Sequence, residues 1–172
     1  MAVALVGLLG LSACTGKVTP VTSGFTVFAP EERQAAPTLS GELLDGSTFE
    51  GLPAGQVAVI NFWGSWCPPC VAEAPELEGT YQAQKPNGVV FLGIDVRDPS
   101  KDDARAFAKQ HMSYPSIYDF SSRNALGFAV APNAVPATFL IDKQGRIAAV
   151  SRTAVVRAEL EPLITALLAE ES

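Results

Sequence analysis

The sequence predicts an α/β domain with a central mixed sheet flanked by helices, and three observations predict it. Residues 57–63 and 89–96 are nearly continuous apolar runs, the pattern of strands buried on both faces. Each is followed by a stretch with helix-start signals. Further on, residues 138–141 and 147–151 read as two strands joined by a Lys143-Gln144-Gly145 turn, which adds an antiparallel pair to the sheet.

Residues 39–44, the Asp45-Gly46 turn and residues 47–49 form a short N-terminal β-hairpin. The first buried strand, 57–63, runs into a helix expected over 68–83. Pro68 suits its first position, where no backbone donor is missed. Strand 89–96 comes next. Ser100 then caps a helix reaching His111, with Asp102 and Asp103 in the first turn, where negative charge is favourable. A shorter helix covers 122–126. The closing helix carries Leu160, Leu163, Ile164, Leu167 and Leu168 on one apolar stripe. Pro162 fits it only in the first turn or at a kink.

The chain has 172 residues, 48% hydrophobic and 17% charged, which suits one domain and is too apolar for a disordered chain. Its 12 Lys+Arg against 18 Asp+Glu leave a formal charge of -6. Such a surface repels phosphate backbones, so no nucleic acid partner is expected. No run reaches the ~18 apolar residues of a membrane span. Residues 3–11 are apolar, broken by Gly7 and Gly10, and lead into Leu11-Ser12-Ala13-Cys14 before polar Thr15, Gly16 and Lys17. That is the layout of a secretory leader, and its end resembles a bacterial lipobox, in which the cysteine is lipidated. The expected division is a leader over 1–13, a lipid-anchored flexible linker over 14–37 and a folded domain over 38–172. Only Met1 and Ala2 stand where a positive segment is expected, so the expectation is left open that translation starts upstream of Met1.

The chemistry sits where the first buried strand ends. Trp63-Gly64-Ser65-Trp66-Cys67-Pro68-Pro69-Cys70 places a C-x-x-C at a strand-to-helix junction, the context of a redox pair. A structural zinc site takes four ligands, and this chain offers no second C-x-x-C and the single histidine His111. Cysteines at this spacing can close a disulfide, and the helix N-terminus favours a thiolate on the first sulfur. A structural disulfide that never turns over and a zinc or copper site are the alternatives at this point.

Asn61-Phe62-Trp63-Gly64-Ser65-Trp66-Cys67-Pro68-Pro69-Cys70, with Glu73 and Pro75 behind it, resembles the TlpA/ResA branch of the thioredoxin-fold family. So does Val135-Pro136-Ala137-Thr138-Phe139-Leu140-Ile141-Asp142, followed by Gly145-Arg146-Ile147. The resemblance runs from Thr38 to the C-terminus. It implies a thioredoxin fold with an N-terminal β-hairpin and an inserted segment, and an exported, membrane-tethered thiol–disulfide oxidoreductase. The expected location is the extracytoplasmic face of a bacterial cell membrane, and the expected state a monomer. Expected partners are exported protein thiols and disulfides, apocytochrome c among them, and a membrane electron donor. No cofactor and no metal are expected.

The resemblance also implies residue roles. Cys67, nearer the helix start and the surface, is the attacking thiolate; Cys70, one turn inward, resolves the mixed disulfide. Pro136 matches the family's cis-proline and turns the backbone of Val135 toward substrate. Trp66 and Pro68 complete the expected substrate contacts. Asn61 stands where many thioredoxins carry a buried Asp, so the proton acceptor for Cys70 is expected at Asp98, after the next strand. Asp95 is the competing candidate, and Arg97 could neutralise either. Glu73 is expected on the surface, Pro75 at a kink. Residues 128–135 run longer than the family pattern and Ala137 stands where Thr is usual; both alter the substrate groove. Protein-disulfide reduction is the expected activity, with a disulfide-donating oxidase and a non-catalytic peptide-binding module as alternatives.

Overall fold

The computed structural model describes residues 21–22 and 24–171. The leader expected over 1–13 and the lipidation site Cys14 lie outside the described residues. The chain opens with β1 (Val21–Thr22) and β2 (Phe25–Val27), then β3 (Gly41–Glu42), β4 (Thr48–Phe49) and β5 (Ala58–Trp63). Next come α1 (Pro68–Gln84), a 3-10 turn (Lys85–Asn87), β6 (Val90–Val96), α2 (Lys101–His111), β7 (Ser116–Asp119) and α3 (Arg123–Gly127). β8 (Ala137–Ile141), β9 (Ile147–Ser151) and α4 (Arg157–Ala169) complete it. The main sheet has the order β1-β2-β9-β8-β5-β6-β7. β5–β6 and β6–β7 are parallel and the other neighbours antiparallel, so the expected mixed sheet forms. The expected hairpin is present as β3–β4, a separate two-stranded unit.

β5 is buried along its whole length because both its faces are covered. Val57 and Val59 face Leu77 and Tyr81 of α1 and Leu160, Ile164 and Leu167 of α4. Ala58, Ile60 and Phe62 face the other way, onto Leu39, Ala125 and Phe128. The same alternation sends Asn61 and Trp63 to the α1 side, where the chemistry lies. Trp63 stacks on Phe107 of α2 at 4.9 Å between ring centroids and donates through Nε1 to Ser116 Oγ at 2.9 Å. Only a glycine fits between them. A Cβ at Gly93 would come 2.6 Å from Ser116 Oγ and 2.8 Å from Trp63 Nε1. α2 starts as expected, with Ser100 Oγ accepting the Asp103 N–H at 3.2 Å.

Residues 24–37 depart from the expected linker and belong to the folded unit. Phe25 is fully buried, and β2 pairs with β9 in the register Phe25↔Ser151 and Val27↔Ala149. Ala35 bridges Arg146 further along. Arg33 then ties this segment to the other end of the chain. Its guanidinium donates to the two Glu170 carboxylate oxygens at 2.6 and 2.7 Å and to Asp142 Oδ2 at 3.1 Å. The boundary expected at Thr38 therefore moves back to Val21, because β2 covers the otherwise free edge of β9 and β1 pairs with β2. β7 also escapes the sequence pattern: four residues after Pro115 are too few for periodicity to show. Pro162 sits inside α4 beyond its first turn, so the Ala158 carbonyl has no helical N–H partner there.

Candidate active site

α1 begins at the C-x-x-C because Cys67, with an extended backbone, is its N-cap. Pro68 and Pro69 fill positions whose N–H groups would have no helical acceptor. Cys67 and Cys70 are joined in a disulfide with S–S 2.06 Å. Cys67 Sγ accepts the Cys70 N–H at 3.2 Å and lies 3.6 Å from the Val135 carbonyl oxygen. That second approach is a contact in the disulfide, where the sulfur carries no hydrogen; a reduced Cys67 thiol can donate across it. Cys67 is not nearer the surface than Cys70, as both are 2% exposed. This corrects the expected difference in exposure. What sets Cys67 apart is its sulfur at the helix N-terminus, where the Cys70 N–H and the helix dipole stabilise negative charge.

Three of the four expected substrate-contacting residues reach solvent around the disulfide. Trp66 is 43% exposed, Pro68 is exposed and Val135 half-buried, while Pro136 is buried. The Val135–Pro136 bond is cis, as expected. The Trp66 indole folds across Gly64, where a Cβ would come 2.5 Å from Nε1, and donates to the Val96 carbonyl at 3.3 Å.

Asp95 and Asp98 are both fully buried. Asp98 Oδ2 accepts the Ser65 N–H at 2.7 Å, which ties it to the loop before the motif. Asp95 lies in register with Trp63 on one side and Tyr118 on the other. No donor reaches either Asp95 oxygen or Asp98 Oδ1 among the described residues. Burial, then the charge of Asp98, pushes Asp95 up to about 8; Asp119 adds in the same direction. Asp119 itself is engaged, accepting the N–H groups of Arg123 and Ala125 at the start of α3. Arg97 does not neutralise the pair, contrary to expectation: it is exposed, with no ion pair or hydrogen bond among the described residues. The two side chains interact, and a neutral Asp95 has an O–H to give that Asp98 Oδ1 can receive, which leaves one Asp95 oxygen without a donor among the described residues. The two competing candidates are one carboxyl pair.

Glu73 is the residue that sequence reasoning misses. Expected on the surface, it is buried one helical turn after Cys70 on the same face of α1. Its Oε1 accepts from Asn61 Nδ2 at 2.8 Å and its Oε2 from the Val155 N–H at 3.0 Å. Asn61 also donates to Thr138 Oγ1 at 3.1 Å, so the residue at the buried-Asp position now holds a glutamate in place. Burial pushes Glu73 up to about 7, with the Val155 and Asn61 hydrogen bonds opposing it. The spacing from Cys70 is the signal that could have found it. Its cover, Val155, lies 82 residues further along the chain. His111 ends α2 against Phe107, as expected. Among the described residues, no helix is long and apolar enough to cross a membrane.

Residues 33–150 match the AhpC/TSA family. The thiol-disulfide oxidoreductase ResA of Geobacillus kaustophilus is 29% identical over 107 residues, 62% of this chain and 60% of that protein. The thiol:disulfide interchange protein DsbE of Pseudomonas aeruginosa is 38% identical over 121 residues, 67% of this chain and 64% of that protein. The chain thus spans less than two thirds of the length of either relative. Among solved structures, a secreted thiol-disulfide isomerase from Corynebacterium glutamicum matches with a TM-score of 0.79 at 30% identity, over 96% of this chain and 100% of that one.

Proposed function

Because the chain belongs to the AhpC/TSA family and has a thioredoxin fold that fits the TlpA/ResA-like proteins, we propose that it is a thiol–disulfide oxidoreductase that reduces protein disulfides through Cys67 and Cys70. The observation that carries this is the Cys67 sulfur, held at the N-terminus of α1 beside the Val135 carbonyl and an exposed Trp66. In the reduced protein the Cys67 thiolate attacks a substrate disulfide, whose S–S bond breaks and releases one substrate thiolate. Cys70 then gives up its proton and attacks Cys67, releasing the second substrate sulfur. The substrate gains two electrons, and the protein is left with the Cys67–Cys70 disulfide. Glu73, on the same helix face as Cys70 and pushed to about 7, is suited to take that proton near neutral pH. Asp98, expected in that role, holds the Ser65 N–H of the loop before the motif.

The reduction potential tests the direction. Equilibration with glutathione buffers is expected to give a value near ~-270 mV, that of a reductant. A value near ~-120 mV would make the protein a disulfide donor instead. We place the domain on the extracytoplasmic face of the membrane, anchored through Cys14, with apocytochrome c among its substrates and a membrane protein as electron donor. Cys14→Ser is expected to move the protein from the membrane to the soluble fraction with its thiol chemistry unchanged. Sedimentation with membranes to the wild-type extent would overturn the anchor.

A further inference from the structure

A cavity of about 570 Å³ opens beside the disulfide, lined by Trp66, Arg97, Pro99, Pro132 and Asn133. Trp66 directly precedes Cys67, and its indole is pinned to the carbonyl of Val96, the residue before Arg97. Pro132 and Asn133 come from the long loop leading to Pro136. Arg97 is the one charged residue in this lining. Its guanidinium is exposed and has no hydrogen bond or ion pair among the described residues, although the buried carboxyls of Asp95 and Asp98 lie close along the chain. The backbone explains the separation. Arg97 has φ 54°, a left-handed conformation that non-glycine residues rarely adopt and that concentrates at binding sites. The turn sends Asp98 inward and leaves Arg97 at the cavity.

We propose that Arg97 selects the polypeptide substrate, binding the carboxylate of an Asp or Glu that flanks the target cysteine while the peptide lies against Trp66. Selection of this kind rests on the thiol–disulfide activity proposed above and adds a substrate class to it: cysteine segments with an acidic neighbour. A guanidinium suits the task, because it meets a carboxylate with two parallel N–H donors. The net charge of -6 does not oppose it. Repulsion between separated charges is damped beyond ~8 Å at physiological salt, so the local contact decides.

Peptides with one cysteine, held as a mixed disulfide with thionitrobenzoate and carrying Glu, Ala or Lys beside the cysteine, provide the test. The reduced protein attacks the peptide sulfur through Cys67, the S–S bond breaks, and thionitrobenzoate leaves as the coloured anion. Cys70 then displaces the peptide as its thiol. The wild type is expected to favour the Glu peptide over the Lys peptide by about threefold to fivefold in kcat/KM, the range that exposed ion pairs reach. Arg97→Gly keeps the left-handed backbone without strain and is expected to bring the ratio to one. Arg97→Glu is expected to invert it. Equal rates in the wild type, or a ratio that survives Arg97→Glu, would overturn the selection and leave the activity standing. Failure to attack any of the three peptides would overturn the activity as well.

Discussion

Cys70→Ser is expected to turn the protein into a trap that accumulates a mixed disulfide through Cys67 while steady-state turnover falls to background. Attack depends on the Cys67 sulfur at the N-terminus of α1, which the substitution leaves alone. Resolution depends on the second sulfur, which it removes. Cys67→Ser should show the opposite pattern, with little attack and little adduct. A serine oxygen can keep the N-cap that the Cys67 sulfur now forms with the Cys70 N–H, so loss of activity in that variant is not loss of the helix. Mass spectrometry of the adducts after exposure to a disulfide peptide reads both variants. Adducts carried mainly on Cys70 would reverse the assignment of the two cysteines.

Asp95→Asn is expected to make the protein more stable above pH 8 and to flatten its stability across the neutral range. The carboxyl is pushed from 3.8 in an ordinary setting to about 8 by burial and by Asp98. Below about pH 4 both the folded and the unfolded chain hold this proton, and there is no penalty. Between about pH 4 and pH 8 the unfolded chain ionises while the folded one does not, so stability falls by about 1.4 kcal/mol per pH unit. Above about pH 8 the loss is complete, on the order of 5–6 kcal/mol. Glu73, raised from 4.5 to about 7, adds a loss of the same sign over its own window. Asparagine never ionises, so its variant keeps only the Glu73 window. Urea unfolding from roughly pH 5 to pH 9 measures the difference. A wild type whose stability holds level over that range, or an Asp95→Asn protein with the wild-type slope, would take the shared proton away from the pair.

The two predictions draw on parts of the molecule that differ in how legible they are. β5, β6 and the C-x-x-C can be read directly, because a strand buried on both faces and a helix-capping cysteine pair leave local patterns. The cis bond before Pro136 follows from the resemblance. Glu73 and Asp95 leave no such pattern. A glutamate in a helix resembles any solvated one until α4 and the Val155 N–H close over it. Asp95 ends a strand beside a loop, where acids are common, and only the pairing of β5, β6 and β7 encloses it. Phe25 to Val27 is only three residues, too short for alternation to make it stand out from a linker. Its place is fixed by pairing with β9, far away in sequence. What stays hidden in each case is a partner supplied by another part of the chain.

The pairing of β2 with β9 would also set the length of the proposed Cys14 tether. With Cys14 as the point of attachment, a fold beginning at Thr38 would let the domain travel ~80 Å from the bilayer at full extension. With Val21 already paired into the sheet, the reach would be at most ~25 Å. A domain of this size has a radius of gyration of ~15 Å, so on that tether Cys67 would sweep a layer little deeper than the domain itself. Substrates diffusing freely far from the membrane would lie out of range of a domain anchored in this way. Those held at the same surface would meet the cysteine at the high effective concentration that a short tether gives.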